Sequence, residues 1–159
     1  MTIQFGAKIG EESSAPLHTL GTRYHTDDGK EFIYLLADEA ITGAGYSVVI
    51  DQDFGSTMAD TASSVNAYGK AVAVPTIAVT NAYYYWGQVY GQAHVGVRVA
   101  ASAAAGSKLN TTGTGGVLDD DATAGAENID GIFVSVADGG SGSAIAAFLS
   151  YPIVGATLA

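Results

Sequence analysis

The residues that could do chemistry in this 159-residue chain are few and scattered. Its three histidines, His18, His25 and His94, stand in no HxH or HxxxH spacing that would bring two ring nitrogens to one metal. With no cysteine there is no thiolate nucleophile, no disulfide and no cysteine zinc site. Asp119, Asp120 and Asp121, followed by Glu127 and Asp130, offer the oxygens calcium takes. Three adjacent carboxylates on a strand-like segment point alternately to opposite sides, however, and the alternating ligand spacing of a calcium loop is missing. A hydrolase built on Asp119, Asp121 or Glu127 would lack a partner histidine or basic residue. Asp53-Phe54-Gly55 spells a kinase triplet without the motifs that should precede it, and no GxSxG elbow or phosphate loop occurs. No catalytic residue, metal ligand or cofactor is assigned.

The informative stretch is 81–99, in which Tyr83, Tyr84, Tyr85, Trp86 and Tyr90 crowd together with Arg98 as the single charge. If Gly91-Gln92 is a turn, Tyr84, Trp86 and Tyr90 share the face of the valines that follow, leaving Tyr83 and Tyr85 outside. If the strand runs straight through, Tyr84, Trp86, Tyr90 and His94 point outward. Either register leaves at least two aromatics off the core. Tyr and Trp bury much area at low side-chain entropy cost, so Tyr83, Tyr84, Tyr85, Trp86, Tyr90 and Arg98 are expected at a subunit or partner interface. The plainer alternative is a core that uses both faces of the strand. A different class of function, a glycan-binding module, would take Tyr84, Trp86 and Tyr90 as a stacking platform with Gln88, Gln92 and His94 as hydrogen-bonding groups.

The elements that must position these side chains read as strands. Two β-rich runs flank Asp27-Asp28-Gly29-Lys30, whose Asp-Gly pair tolerates the positive φ of hairpin turns. Short runs at 46–51, 69–74, 83–90, 93–100, 108–112, 131–137 and 143–151 follow, each bounded by Gly, Asn, Asp or Pro. The only helix candidate, 100–105, is one Ala-rich turn. This spacing predicts an all-β fold, a small antiparallel β-barrel or β-sandwich with an extended N-terminal arm, divided as arm 1–21 and single β-domain 22–159. The segments 112–128 and 138–143, rich in Gly, Thr, Ser and Asp, are expected to be mobile loops.

Net charge is −10, which opposes contact with nucleic acid or an anionic membrane face. No apolar stretch approaches the roughly 18 to 20 residues of a spanning helix. No signal-peptide pattern opens the chain, so synthesis in the cytoplasm is the default expectation. The 58 residues from 61 to 118 carry Lys70, Arg98 and Lys108 and no carboxylate, so the acidic surface comes from the two ends and the middle is core or contact surface. With 27 Ala and 21 Gly the core material is small, which argues for support from partners.

The order of phrases is familiar: Leu20-Gly21-Thr22, Glu31-Phe32-Ile33-Tyr34-Leu35, Tyr46-Ser47-Val48-Val49-Ile50-Asp51, Gly69-Lys70-Ala71-Val72-Ala73-Val74 and Trp86-Gly87-Gln88-Val89-Tyr90-Gly91. Leu109-Asn110-Thr111-Thr112-Gly113, Gly116-Val117-Leu118-Asp119, Ile129-Asp130-Gly131-Ile132 and Phe148-Leu149-Ser150-Tyr151-Pro152 complete it. Over 20–155 the chain resembles the small virion proteins of tailed bacteriophages and cyanophages that decorate, or cement, the capsid exterior. The resemblance implies a β-rich, non-enzymatic homotrimer without cofactor, made in the host cytoplasm. It would sit on the outer capsid surface, with the major capsid protein as its partner, and clamp neighbouring shell subunits.

The arm carries Ile3, Phe5, Ile9 and Leu17, too widely separated to form a core of their own. They are expected to bind the capsid, ordering only on the shell, where several linked arms act together. A chain starting at Thr22 is then expected to stay folded and oligomeric while losing most of its capsid affinity.

Overall fold

The computed structural model describes residues 6–159. The expected anchors Ile3 and Phe5 lie outside the described residues. Among the described residues twelve strands form: β1 (Arg23–His25), β2 (Glu31–Ala37), β3 (Val48–Ile50), β4 (Gly55–Met58), β5 (Val72–Pro75), β6 (Tyr84–Gln92), β7 (Val97–Arg98), β8 (Leu109–Thr111), β9 (Leu118–Asp119), β10 (Glu127–Val134), β11 (Ala144–Ile145) and β12 (Ala147–Thr157). The 100–105 segment is a turn rather than a helix, with Ala103 buried.

β2, β4, β3, β5 and β6 close into a five-stranded barrel, because β6 pairs with both β5 and β2. The barrel pairings are antiparallel apart from β2 with β4, which run parallel. Five strands enclose little room, and at Gly87 there is no space for even a methyl group. A Cβ on Gly87 would stand 2.9 Å from Ala73 Cβ and 3.0 Å from Leu35 Cδ1. Ile33, Leu35, Val48, Ile50, Ala73, Tyr85 and Val89 make up most of this core. The Tyr85 hydroxyl is satisfied by Ser56 Oγ at 2.7 Å, and burial pushes its pKa up.

Beyond β6 the sheet continues through β12, β10, β8 and β9. The inner faces of those strands, with Leu109, Leu118, Ile129, Ile132, Val134, Leu149 and Val154, pack on Val49, Val72 and Val74, which point out of the barrel. β3 and β5 are thus walls shared by two cores, which accounts for their unbroken apolar runs.

A third core holds the arm. Phe32, Tyr34 and Trp86 project from the outer side of β2 and β6 and are covered by Ala7, Ile9, Leu20, Tyr24 and Tyr84. Ser13 forms an antiparallel bridge with Tyr84, the Leu17 N–H donates to Tyr34 Oη (3.1 Å) and the Gly21 N–H to Tyr34 O (2.9 Å). Residues 6–21 are largely irregular, but they lie along their own domain rather than standing free for a shell.

Loop 138–143, expected as a mobile tip, closes on a carboxylate. Asp138 accepts the N–H groups of Ser102, Gly140 and Gly142 and the Ser143 hydroxyl (2.6 Å). The Ser143 bond foremost, then the backbone donors, hold its pKa far below the usual carboxylate range.

Candidate functional site

The largest departure from regular strand geometry lies between β10 and β12. Asp130 pairs with Ile153 and Ile132 with Leu149, so Gly131 alone faces Ser150, Tyr151 and Pro152. Such a bulge breaks the inward-outward alternation and re-aims a side chain. Leu149 is buried, Ser150 and Tyr151 are both exposed, and Pro152 turns inward again. Tyr151 takes φ +47°, a strained left-handed conformation for a large side chain, so neighbouring groups must hold it.

The register supplies them. Glu31 on β2 pairs with Tyr90 on β6, and Tyr90 pairs with Ser150 on β12, so the three strands bring Glu31 within reach of the bulge. The Tyr151 hydroxyl donates to Glu31 Oε2 at 2.6 Å, and its ring stacks on Tyr90 with centroids 5.0 Å apart. The Arg23 guanidinium lies 6.0 Å from the Tyr151 ring centroid and pairs with Glu31 Oε1, while His25 Nε2 lies 2.9 Å from Glu31 Oε2. Phe148 meets Tyr90 edge-on at 5.5 Å and stands directly opposite Phe133 on β10. The result is an aromatic row in which Phe133, Phe148 and Tyr151 are exposed around a half-buried Tyr90, anchored at one end by a buried carboxylate.

Burial alone would raise the Glu31 carboxyl, but the Tyr151 hydrogen bond, then Arg23, with the field of His25, outweigh it and hold the pKa below its ordinary value. The same bond raises the Tyr151 phenol. A depressed carboxylate stabilises the fold fully above its unfolded value of 4.5, and that contribution is lost as pH falls through the lower folded value. Urea denaturation across pH 7 to 3 should show this loss, and Glu31→Gln should flatten it. At pH 7 the substitution should cost about 1–2 kcal/mol. That is less than for a fully buried pair, because Arg23 and His25 are 49% and 70% exposed and can turn to water. An unchanged acid profile in the variant would remove Glu31 from this role.

The aromatic run fixed on from sequence is distributed differently. β6 runs straight through Tyr84–Gln92, without a turn at Gly91-Gln92. Tyr85 is in the barrel and Trp86 under the arm, at 1% and 3% exposure, so neither offers a surface. Tyr83 packs half-buried on the barrel core, and Tyr84 stacks on Tyr34 with centroids 6.0 Å apart. Arg98 lies over the Tyr46 ring (5.6 Å). Of the expected interface residues, Tyr90 alone joins the aromatic row, and it is half-buried there. Ile9 is an internal anchor, while Leu17 is exposed.

The glycan platform is not assembled, since Trp86 is covered and Gln88 is buried. The Gln88 side-chain amide donates to Tyr90 O and Gln92 O, and its carbonyl accepts the His94 N–H. Phe133, Phe148, Tyr151 and Ile153 escaped the sequence reading. The signal for them is Phe148 and Tyr151, three positions apart and so on opposite faces of a regular strand.

The acidic run 119–121 serves local turns. Asp119 accepts the Asp120 N–H, Asp120 the Ala104 N–H (3.0 Å), and Asp121 the Asn110 side-chain amide (3.1 Å). Among the described residues no three His, Asp or Glu side chains converge to hold a metal. No protein-family model, curated protein or solved structure matches this chain.

Proposed function

We propose that this chain is a non-enzymatic virion protein that binds the outside of an assembled phage capsid as a homo-oligomer, most simply a trimer, and cements neighbouring subunits of the major capsid protein. The resemblance in sequence phrases suggests the class. The observation that carries the reading is the uncovered face of β12 and β10, where Phe133, Phe148, Tyr151 and Ile153 are 59%, 41%, 50% and 40% exposed. Contiguous apolar surface of this kind marks a contact site. Asp130 is the one charged side chain on that stretch of β10 and β12, in a chain of net charge −10, so protein surfaces can meet there with little like-charge repulsion. An acidic remainder suits a face turned to solvent.

Light scattering at micromolar concentration should give about three times 16.1 kDa. Electron microscopy of particles carrying the protein should show density outside the shell. Phe133→Ser with Phe148→Ser should leave the melting temperature within a few degrees, since both rings are exposed. Two central aromatic contacts at roughly 1–2 kcal/mol each correspond to about 30-fold or more, in oligomer or particle affinity. A monomer that leaves capsids undecorated would end this reading.

A further inference from the structure

We propose that the groove at the mouth of the barrel, between Phe54 and Tyr151, binds an extended protein segment in which a large apolar side chain stands beside a carboxylate. Two adjoining hollows of about 410 and 90 Å³ meet there and share Arg23, Ile33, Ile50 and Ala71. Val72 and Val89 extend the aliphatic floor toward Tyr151, and Phe54 and Tyr68 wall the other end.

Two independent features mark it as built for an occupant. Among the described residues six non-glycine residues have positive φ, and the only two of them with large side chains, Phe54 (φ +63°) and Tyr151 (φ +47°), stand at the two ends of this groove. Each is held there by its surroundings. Asp51 Oδ1 accepts the N–H groups of Asp53 and Gly55, both at 2.9 Å, which fixes the turn carrying Phe54, and Tyr151 is held by Glu31 and Tyr90. Strain maintained in this way clusters where a side chain must be presented. The second feature is charge. Two of the chain's six cations, Arg23 and Lys70, line the groove. Among the described residues Lys70 has no ion pair, and Arg23 commits one guanidinium nitrogen to Glu31. Asp51, the carboxylate on this rim, commits Oδ1 to backbone donors and has Oδ2 beside Gly55, toward Asp38 and the neighbouring hollow that Lys70 also borders.

The aliphatic floor suits a Leu or Phe side chain better than a sugar, which needs several converging polar groups. Two hollows in series, open along their length, suit an extended chain. The groove shares Tyr151 and Ile153 with the face of β12 used in the decoration reading, but its floor and its cations lie off that face, and its test uses no particles, so either can fail alone.

The test is a ¹⁵N–¹H titration of the purified full chain with blocked tetrapeptides Gly-Phe-Asp-Gly, Gly-Phe-Lys-Gly and Gly-Ser-Asp-Gly, and with sodium glucuronate. Gly-Phe-Asp-Gly should shift the amides of Ile33, Ile50, Ala71 and Ile153 and bind at least fivefold tighter than the other two peptides, with the preference shrinking at high salt. Tyr68→Ala, at an exposed position, should weaken it at least fivefold, and Lys70→Glu should abolish the preference for Asp over Lys. No binding at 10 mM peptide, shifts centred elsewhere, equal affinity for all three peptides, or tighter binding of glucuronate would each overturn the proposal.

Discussion

A chain starting at Thr22 should unfold more easily than the full chain and expose its single tryptophan. Residues 6–21 supply the lid over Phe32, Tyr34 and Trp86, and His18 sits edge-on to Tyr34 and Trp86 with ring centroids 5.1 Å from each. Polar ties reinforce the lid: Thr76 donates its hydroxyl to Ile9 O, and the Glu12 carboxylate accepts both the N–H and the hydroxyl of Thr80. Uncovering roughly 150 Å² of apolar surface at about 25 cal/mol per Å² is worth about 4 kcal/mol. Part of that is returned because the arm no longer has to be ordered, so the net loss should be about 2–3 kcal/mol, or about 4–12 °C in Tm. Trp86 emission should move to longer wavelength and become open to a soluble quencher. Ile9→Ser in the full chain should move both readings the same way by a smaller amount. An unshifted emission spectrum and unchanged Tm in the truncated chain would return the arm to its sequence-level reading, a free binding tail.

That reading was reasonable on local grounds. Ile9 and Leu20 show no period, and their partners lie on β2 and β6, so nothing within 1–21 reveals that the arm completes a core. The hairpin of β1 and β2 was legible because the Asp-Gly turn sits between two β-rich runs, and Gly29 does take φ +81°. β4, Gly-Ser-Thr-Met, was not legible: it has little strand character and is fixed by Met58 and Ser56 pairing on β3 and by the parallel step onto β2. Tyr85 and Trp86 attracted attention as neighbours of opposite face. In a closed barrel with an added lid both faces are interior, so aromatic density along one strand does not by itself mark surface. Glu31 looked like an ordinary hairpin charge. Its role depends on a residue 120 positions away, Tyr151, which reaches it only because of the bulge.

The bulge itself rests on Gly131, and Gly131→Ala should be among the most damaging single-methyl additions to the chain. Two costs combine. Gly131 has φ +86°, where an L side chain costs roughly 1–2 kcal/mol. Its Cβ would also stand 2.8 Å from Ser150 O and 3.0 Å from Pro152 Cα, which are backbone atoms that cannot rotate away, and such overpacking costs about 1–3 kcal/mol more. A loss of about 3–4 kcal/mol, or roughly 6–16 °C in Tm, is expected by calorimetry. Gly125→Ala separates the two costs, because Gly125 has φ +87° with nothing within 4 Å of an added Cβ, and should lose only the conformational part. If the β10–β12 register shifts to relieve the clash, Tyr151 leaves Glu31 and the acid-dependent stability assigned to that carboxylate should shrink in Gly131→Ala while persisting in Gly125→Ala. Equal effects of the two substitutions would mean that backbone contact at Gly131 does not hold the bulge, and the outward placement of Tyr151 would then need another cause.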